Sequence, residues 1–245
     1  MPTAPQPAVV VLTGAGISAD SGLATFRDAG GLWEGHRVEE VATPAAWRAN
    51  KELVWRFYQL RRRALSDVEP NPAHFALARL EQTLTERGLP FTLITQNVDN
   101  LHERAGSSPL HMHGELAQLR CERCHERIRD LERTDPETFL HCELCAPPAV
   151  ALRPDIVWFG EMPFHLDTIQ DCLTVATHFV SIGTSGQVYP AAGFLDAARQ
   201  YGAQTIVNSL DEPSNIDPRD RFMPGRAATV VPQLVDELIE ALAPG

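Results

Sequence analysis

The sequence has no long hydrophobic run. A helix that spans a bilayer needs about 18 or more consecutive apolar residues, and no stretch of the 245 residues comes near that length. The first residues, MPTAPQPAVVVLTG, also lack the charged start and the cleavage pattern of a secretory signal peptide. We therefore expect a protein that is not embedded in a membrane and that works in the cytoplasm.

Positive charge is scarce. Lysine and arginine together number 21 against 32 aspartates and glutamates, and the formal net charge is −11. A protein that binds nucleic acid mainly through charge needs a basic surface, so we expect no direct contact with nucleic acid. The sign suits a basic polypeptide as partner, although net charge governs association and not chemistry.

Internal repeats and low-complexity tracts are also missing, and the composition is that of an ordinary globular protein, with 44% hydrophobic and 22% charged residues. Short apolar runs, typical of buried strands, alternate with helical patterns. The apolar runs are residues 8–18, 91–98, 178–185 and 203–210, and helical patterns occur at 71–88, at 189–202 and at the C-terminus. This alternation predicts an α/β fold, a Rossmann-like domain with a parallel sheet.

Two regions break the alternation. Residues 29–70 have a largely helical pattern, whereas residues 117–147 are polar and carry cysteines. We interpret them as a helical module and a zinc-binding module, which together form a smaller domain inserted into the larger one. The Rossmann-like domain would then be discontinuous, with residues 1–28, 71–116 and 148–245.

The helical module contains an arginine in an unexpected place. Residues 51–66, placed on a helix at about 100° per residue, predict one apolar face made of Leu53, Val54, Phe57, Leu60, Ala64 and Leu65. Arg61 falls inside that face with Tyr58 at its edge, whereas Arg62 and Arg63 would be solvated. A buried arginine needs a negative partner, and a salt bridge within the protein is the simplest interpretation.

A glycine-rich loop follows the first predicted strand. Its residues 14–19, GAGISA, fit the dinucleotide-binding fingerprint, which allows alanine at the third conserved position. Glycines let the backbone approach a pyrophosphate, and we expect the N-terminus of a following helix to favour the negative charge. A strand-to-helix turn also uses glycine for packing alone, so this pattern leaves both interpretations open.

Four of the five cysteines form two pairs, Cys121-x-x-Cys124 and Cys142-x-x-Cys145, with 17 residues between the pairs. This spacing predicts a zinc site. Four thiolates complete a tetrahedron without water, so the zinc would be structural. Disulfides are the alternative, but they are rare in cytosolic proteins. Cys172 would be a small buried side chain.

Six motifs, in order along the chain, resemble those of the sirtuins (Sir2 family), the NAD-dependent protein deacylases. They are GAGISADSGLATFRDAGGLW (14–33), TQNVDNLHERAG (95–106), HMHGEL (111–116), the two cysteine pairs, RPDIVWFGE (153–161) and GTS (183–185). The resemblance extends over residues 8–240. In two places the sequence departs from many members: Leu23-Ala24 replace Ile-Pro, and Asn100 replaces a glycine. Neither departure removes a group that the chemistry needs.

The resemblance implies an enzyme that uses NAD to remove acyl groups from lysine side chains of protein substrates. Its products would be nicotinamide and O-acyl-ADP-ribose. The alternative within this chemistry is a protein mono-ADP-ribosyltransferase, in which another nucleophile captures the ribosyl centre. A hydride-transferring dehydrogenase or a non-catalytic NAD-binding protein fits the motifs less well. We expect one structural zinc ion and a monomer.

Catalytic roles follow from the same resemblance. It implies His113 as the general base and Asn97 as a second catalytic residue, and histidine suits general-base work because it titrates near neutral pH. His111 is the local competitor. The residues implied for NAD are Gly14, Ala15, Gly16, Ile17, Ser18, Phe26, Arg27, Trp33, Gln96, Asn97, Asp99, Gly183, Thr184, Ser185, Asn208, Ser209, Leu210 and Ala227. The polar residues at 96–99 also fit a plain turn.

For the acylated substrate, the resemblance implies Val157, Phe159 and Gly160 beside the acyl-lysine, in a segment that pairs with the substrate backbone as an added strand. A core strand would fit IVWF equally well. Tyr58 and Arg61 are three residues apart, so both can reach one spot on a helix. They resemble the pocket of sirtuins that remove negatively charged acyl groups, and arginine binds a carboxylate through two parallel hydrogen bonds. We therefore expect acetyl-, succinyl- and malonyl-lysine as substrates.

Overall fold

The computed structural model describes residues 6–24, 32–33 and 35–243. In chain order the strands are β1 (Val9–Thr13), β2 (Leu32–Trp33), β3 (His36–Arg37), β4 (Phe91–Thr95), β5 (Leu110–His111), β6 (Gly114–Cys121), β7 (Arg127–Arg129), β8 (Leu152–Ile156), β9 (His178–Ile182), β10 (Gln204–Ser209) and β11 (Arg221–Pro224). The α-helices are α1 (Val38–Val41), α2 (Pro44–Ala49), α3 (Lys51–Ala64), α4 (Pro72–Glu86), α5 (Leu101–Ala105), α6 (Leu166–Val175), α7 (Phe194–Gln200) and α8 (Ala227–Ala241). Among these described helices, none combines the length and the apolar character that crossing a membrane requires.

The larger unit is a six-stranded parallel sheet with the strand order β11-β10-β9-β1-β4-β5. Strand β1 lies between β9 and β4, with Val9 aligned with His178 on one side and with Phe91 on the other. Because all six strands run the same way, their carboxyl ends meet along one edge. The sheet confirms the predicted Rossmann-like α/β fold, and that edge is where such folds bind ligands.

Both faces of the sheet are covered by helices. All five residues of β1 are buried: Val9 and Val11 join a core with α4 and α8, whereas Val10 and Leu12 join a second core with α6 and α7. Successive side chains of a strand point to opposite faces. A central strand that is covered on both sides is therefore apolar at nearly every position, as the run that begins at Ala8 predicts.

The smaller unit is a three-stranded antiparallel sheet with the order β7-β6-β8, packed against α1, α2 and α3. The structure differs here from the expected domain boundaries. Leu152–Ile156 lies in this sheet, where Leu152 is aligned with Cys121 and Ile156 with Gly114. Residues 114–116 and 152–156 were expected in the Rossmann-like domain, but 114–115 pair with 155–156 and 152–154 pair with 119–121 in the small sheet.

Helix α3 is rotated relative to the prediction. Its buried residues are Val54, Trp55, Phe57, Tyr58, Gln59 and Arg62, whereas Leu60, expected inside, is 47% exposed. The expected solvation of Arg62 is wrong, because its side chain is fully buried and forms an ion pair with Asp130 at 3.6 Å. The helix packs on two sides, and the second contact is the polar loop that follows β7.

Hydrogen bonds in this polar contact stabilise the buried charge of Arg62. Arg62 donates to the side chain of Gln59 and to the backbone oxygen of Asp130. Gln59 in turn donates to the backbone oxygens of Arg133 at 3.3 Å and Asp135 at 3.4 Å. Burial lowers the pKa of Arg62 to about 10, so the guanidinium remains charged at neutral pH. A buried charge is tolerated when it is paired and hydrogen-bonded in this way.

Candidate active site

Three strand ends meet where the first glycine loop leaves β1. The backbone N–H of Gly14 donates to Ile182 at 2.9 Å, that of Gly16 donates to Gly183 at 2.9 Å, and that of Gly183 donates to Asn208 at 2.8 Å. A Cβ atom on Gly16 would lie 2.6 Å from the Cα of Gly183, closer than atoms can pack. Gly183 also has a φ of +64°, which favours glycine. These glycines therefore let two loops pack backbone against backbone, which is the packing use of glycine, and the approach to a pyrophosphate stays a prediction.

The chain does not continue from this loop into a long helix, and that expectation is wrong. Two 3₁₀ turns, Ala15–Ile17 and Ala19–Ser21, follow instead. The side-chain amide of Asn71 donates to the backbone oxygen of Ile17 at 2.7 Å, and so takes the acceptor that a continuing α-helix would use. The side chain of Ile17 is buried in the core, and its backbone N–H donates to Gly14 at 3.1 Å.

A chain of buried hydrogen bonds links the glycine loop to the segment after β4. The Nδ2 of Asn97 donates to the Oγ of Ser18 at 3.1 Å, and that hydroxyl donates to Asp99 at 3.0 Å. Asp99 also accepts from the backbone N–H of Leu101 at 3.1 Å. Burial raises the pKa of Asp99, although the bonds from Leu101 and Ser18 favour the carboxylate. Three side chains that are implied for NAD are thus fixed in one network.

His113, the residue implied as the base, has one ring nitrogen in a hydrogen bond. Its Nδ1 lies 3.1 Å from the backbone oxygen of Gln96, and because a carbonyl only accepts, Nδ1 carries the proton and Nε2 has the lone pair. Burial lowers the pKa of His113 by more than the bond to Gln96 raises it, so the ring is neutral at neutral pH. The backbone N–H of Val157 donates to the oxygen of His113 at 2.9 Å, which joins the implied base to the implied substrate segment.

His111, the competing histidine, is occupied at both ring nitrogens. Its Nδ1 lies 3.0 Å from the backbone oxygen of Asn97, and its Nε2 lies 2.6 Å from the carboxylate of Glu103. A ring with both nitrogens bound to oxygen has no lone pair for a substrate proton. The geometry therefore favours His113 as the base.

The residues implied for the adenosine side lie at the end of β10 and the start of α8. Asn208 is buried, and its Nδ2 donates to the backbone oxygens of Met223 at 2.8 Å and Gly225 at 3.1 Å. Its Oδ1 is a buried atom that accepts no bond from the described residues. Ser209 donates to Asp211 at 2.6 Å. The side chains of Leu210 and Ala227 are respectively exposed and buried.

Other implied cofactor residues surround the same edge. Gln96 follows β4, and its backbone N–H donates to Thr13 at 2.9 Å. The hydroxyl of Thr184 lies 3.0 Å from that of Ser181. Ala15 is half-buried and Ser185 is exposed. Two further residues, Phe26 and Arg27, lie outside the described residues, and of Trp33 only the backbone is described, paired with His36.

A second group of implied residues lies at the small domain. Trp158 Nε1 donates to the hydroxyl of Tyr58 at 3.0 Å, and both side chains are fully buried. Burial raises the pKa of Tyr58 despite that bond and the positive charge of Arg61, so the phenol keeps its proton at neutral pH. Arg61 is half-buried one helical turn away, with its guanidinium carbon 4.7 Å from the ring centre of Phe57.

The implied substrate segment runs from β8 towards the helical module. Val157 is half-buried, Phe159 is 46% exposed, and Gly160 has a φ of +91° with open space around it. The backbone N–H of Phe159 donates to Ala42 at 3.0 Å. These residues follow β8 instead of forming a buried core strand, so the segment is not the plain core strand of the alternative interpretation.

Trp158 is a supporting residue that the sequence reasoning did not single out. Its ring centre lies 3.5 Å from the guanidinium carbon of Arg153, which forms a bidentate pair with Glu161 at 2.7 and 2.9 Å. These contacts orient the indole N–H that holds Tyr58. The signal was present, because a buried tryptophan normally needs an acceptor for its N–H.

The four predicted cysteines converge beside the small sheet. The sulfur atoms of Cys121 and Cys145 are 3.7 Å apart, and those of Cys124 and Cys142 are 3.6 Å apart. All four lie within 4.8 Å of one another. Bonds of about 2.3 Å from zinc to four sulfurs place the sulfurs about 3.8 Å apart in a tetrahedron. The cluster therefore fits one structural zinc, as predicted.

Comparison with known proteins identifies the family. Residues 14–190 match the model of the Sir2 family. The NAD-dependent protein deacylase of Escherichia coli (strain K12) is 49% identical over 245 residues, which cover 98% of this chain and 85% of that protein. The NAD-dependent protein deacylase of Yersinia pestis is 51% identical over 238 residues, which cover 96% of this chain and 83% of that protein.

Solved structures agree with the sequence matches. A Sir2 homologue in complex with NAD has a TM-score of 0.85 and 37% identity, covering 97% of this chain and 91% of its own. A mutant Sir2 homologue in complex with 2′-O-acetyl ADP-ribose has a TM-score of 0.87 and 37% identity, covering 98% and 94%. A Sir2 enzyme with a deacetylated p53 peptide and 3′-O-acetyl ADP-ribose has a TM-score of 0.77 and 27% identity, covering 96% and 94%. The chain therefore belongs to the Sir2 family.

Proposed function

We propose that this chain is an NAD-dependent protein-lysine deacylase. The observation that carries the proposal is the meeting of two groups at one edge of the parallel sheet: the buried network of Asn97, Ser18 and Asp99, and the neutral imidazole of His113. The junction of Gly16 with Gly183 holds the glycine loop at the carboxyl edge of the sheet, where such folds bind ligands. The deacylases of the related bacteria and the Sir2 complexes with NAD support the same assignment.

The chain's own residues divide the work. NAD supplies the ribosyl carbon that receives the acyl oxygen as nicotinamide leaves. Asn97 and Asp99, fixed through Ser18, hold the nicotinamide end of the cofactor. His113 accepts a proton at Nε2 from a ribose hydroxyl, which suits a base whose pKa lies below its ordinary value.

The protein substrate binds along residues 157–160 as an added strand. The hydrogen bond between Val157 and the oxygen of His113 supports this placement, because it fixes the segment next to the base. Phe159 offers an exposed apolar surface, and Gly160 leaves open space beside it. Recognition through the main chain explains why one enzyme could act on lysines in many sequences.

The acyl group extends towards α3, and we assign Tyr58 and Arg61 to the carboxylate of succinyl- or malonyl-lysine. The supporting contact is the bond from Trp158 to the Tyr58 hydroxyl, because it joins α3 to the segment that carries Val157 and Phe159. Tyr58 accepts that bond through its oxygen, so its own O–H can donate to a carboxylate. Acetyl-lysine stays a substrate, since a short acyl chain need not reach Arg61.

The test measures nicotinamide release with NAD and peptides that carry acetyl-, malonyl- or succinyl-lysine in one sequence. The wild-type chain should release nicotinamide with each peptide, and His113→Tyr should release none above background. Arg61→Met should lower the succinyl and malonyl rates far more than the acetyl rate. Equal loss of activity on all three peptides would contradict the assignment of Tyr58 and Arg61 to the carboxylate. It would not contradict the proposal that the chain is a deacylase.

Mass spectrometry of the protein substrate separates deacylation from ADP-ribosyl transfer. Deacylation removes the mass of the acyl group from the peptide, whereas transfer adds an ADP-ribose. A substrate that gains ADP-ribose and keeps its acyl group would replace the proposed function by the alternative.

A further inference from the structure

His111 carries an unusual pair of hydrogen bonds. Its Nδ1 lies 3.0 Å from the backbone oxygen of Asn97, and its Nε2 lies 2.6 Å from an oxygen of Glu103. A carbonyl and a carboxylate are both acceptors, so each ring nitrogen must donate, and only the imidazolium has two N–H groups. The side chain is 7% exposed. His111 is thus a buried cation whose two protons are both used.

The hydrogen bond from His111 helps to hold Asn97 in place. Its backbone N–H donates to Thr95 at 3.0 Å, its Nδ2 donates to Ser18 at 3.1 Å, and its backbone oxygen accepts from His111. Among the described residues, these bonds engage every polar group of Asn97 except Oδ1. The preceding carbonyl, of Gln96, accepts from His113. Two histidines, two positions apart, therefore hold two consecutive carbonyls of the loop after β4.

We propose that His111, held by Glu103, is a positioning residue that fixes Asn97 for the step in which nicotinamide is released. The inference rests on the proposed function, since it assumes that Asn97 acts on the cofactor. His111 touches no substrate in this role. It acts by donating a hydrogen bond to the backbone oxygen of Asn97. Without this bond, the loop between Thr95 and Asp99 would be less firmly held.

The surrounding charges give this arrangement a pH dependence. Facing His111 are Glu103 on α5, Asp99 after β4, Glu115 on β6 and the buried ring of His102. Burial disfavours the imidazolium, but the hydrogen bond and charge of Glu103 outweigh it and raise the pKa of His111. Once the second proton is lost as the pH rises above this raised pKa, the charge of Glu103 retains the remaining proton at Nε2, because charge-assisted bonds are stronger. The oxygen of Asn97 then loses its donor.

Two substitutions distinguish the hydrogen bond that His111 donates to Asn97 from the positive charge of the His111 ring. His111→Phe keeps a flat ring of similar size and removes both donors. Glu103→Gln lets a neutral imidazole keep both bonds, because the glutamine amide can donate to Nε2 while Nδ1–H still donates to Asn97. His178→Phe is the matched control, since His178 is a half-buried histidine at the opposite, amino-terminal end of β9.

The measurements are kcat and KM for NAD and for the acetyl-lysine peptide, from pH 6 to 10. His111→Phe should lower kcat at least tenfold, with KM for the peptide within twofold and with unchanged folding by circular dichroism. Wild type should lose activity at alkaline pH, whereas Glu103→Gln should keep kcat within threefold and show no alkaline decline. The control should follow wild type.

Two kinetic results would overturn the inference: a His111→Phe kcat within threefold of wild type, or the same alkaline decline in Glu103→Gln as in wild type. If His111→Phe does not fold, the pH profile of Glu103→Gln decides. Nitrogen-15 NMR of the histidine rings gives a test that needs no activity. Both nitrogens of His111 should be protonated at pH 7, and a neutral ring would contradict the inference even if the chain proves not to be a deacylase.

Discussion

The two ends of the site are built from different materials. At the cofactor end, backbone meets backbone: Gly14, Gly16 and Gly183 lie so close that no Cβ fits between them. At the acyl end, the contacts are made by large side chains, with Tyr58 held by Trp158. A backbone junction admits almost no variation. A pocket of side chains can change its preference through one residue, so we expect the choice of acyl group to be easier to alter than the choice of cofactor.

The larger unit and the smaller unit also have different hydrophobic cores. The parallel sheet packs with α4 and α8 on one face and α6 and α7 on the other. The small sheet packs with α1, α2 and α3 around Trp47, Trp55 and Trp158, and this core includes Cys121 and Cys142. We therefore expect the contact of Trp158 with Tyr58 to depend on the zinc site through this core, against which Leu23 and Val98 of the cofactor motifs also pack.

The largest effect should follow loss of zinc. Cys121→Ser, or a strong chelator, should abolish deacylation and unfold the small domain, because metal binding contributes directly to the folding free energy of such sites. The described tryptophans of this core make their fluorescence a report on the small domain. Zinc content, fluorescence and deacylation should fall together, and Cys172→Ser should change none of them. Full activity of a zinc-free protein would contradict this dependence.

Gly16→Ala should weaken the use of NAD without affecting peptide binding. The added Cβ would meet the Cα of Gly183 at 2.6 Å, so the two loops must separate. We expect kcat/KM for NAD to fall at least a hundredfold, with peptide binding within a few-fold by calorimetry. Gly193→Ala is the control, because its Cβ would have ordinary contact with Tyr189 at 3.8 Å. A normal KM for NAD in Gly16→Ala would argue against NAD at this junction.

Arg62→Met should show that neighbouring arginines of α3 have different roles. The substitution removes the buried partner of Asp130 and should lower the free energy of unfolding by about 2 kcal/mol. The ratio of succinyl to acetyl activity should not change. Urea unfolding measures the first quantity and nicotinamide release the second. A change in that ratio without loss of stability would assign acyl recognition to the wrong arginine.

The smallest effect concerns the acid limb of the pH profile. Burial lowers the pKa of His113 below its ordinary value of 6.5. The neutral base therefore persists as pH falls through 6.5 and is lost only at the lower, folded-state pKa. The acid limb of kcat/KM should have its midpoint below 6.5, and His178→Phe should leave it there. A midpoint above 6.5 would mean that a different group titrates.

The local motifs after β1 and β4 were easier to recognise in the sequence than the orientation of α3, for a physical reason. Residues 14–18 and 95–99 are contiguous runs, so each motif carries its own local geometry. The rotation of α3 is set by the loop around Asp130, which is remote in sequence, and a helical wheel contains no information about it. The pairing of β8 with β6 is equally non-local.

Other expectations concern features outside the described geometry. Phe26 and Arg27 remain predicted cofactor residues. The cytoplasmic location, the monomeric state and the lack of contact with nucleic acid also stay predictions. The domain limits of 1–28, 71–116 and 148–245 also stay predictions, and the pairing of β6 with β8 joins residues from both sides of those limits.

The most direct test of two separate ends is the succinyl-to-acetyl ratio of Arg61→Met, measured as kcat/KM on peptides of one sequence with saturating NAD. We expect kcat/KM for desuccinylation to fall at least tenfold in Arg61→Met, while kcat/KM for deacetylation and KM for NAD stay within twofold of wild type. Arg62→Met is the control and should keep the wild-type ratio. Equal losses on both peptides, or a parallel change in KM for NAD, would contradict it.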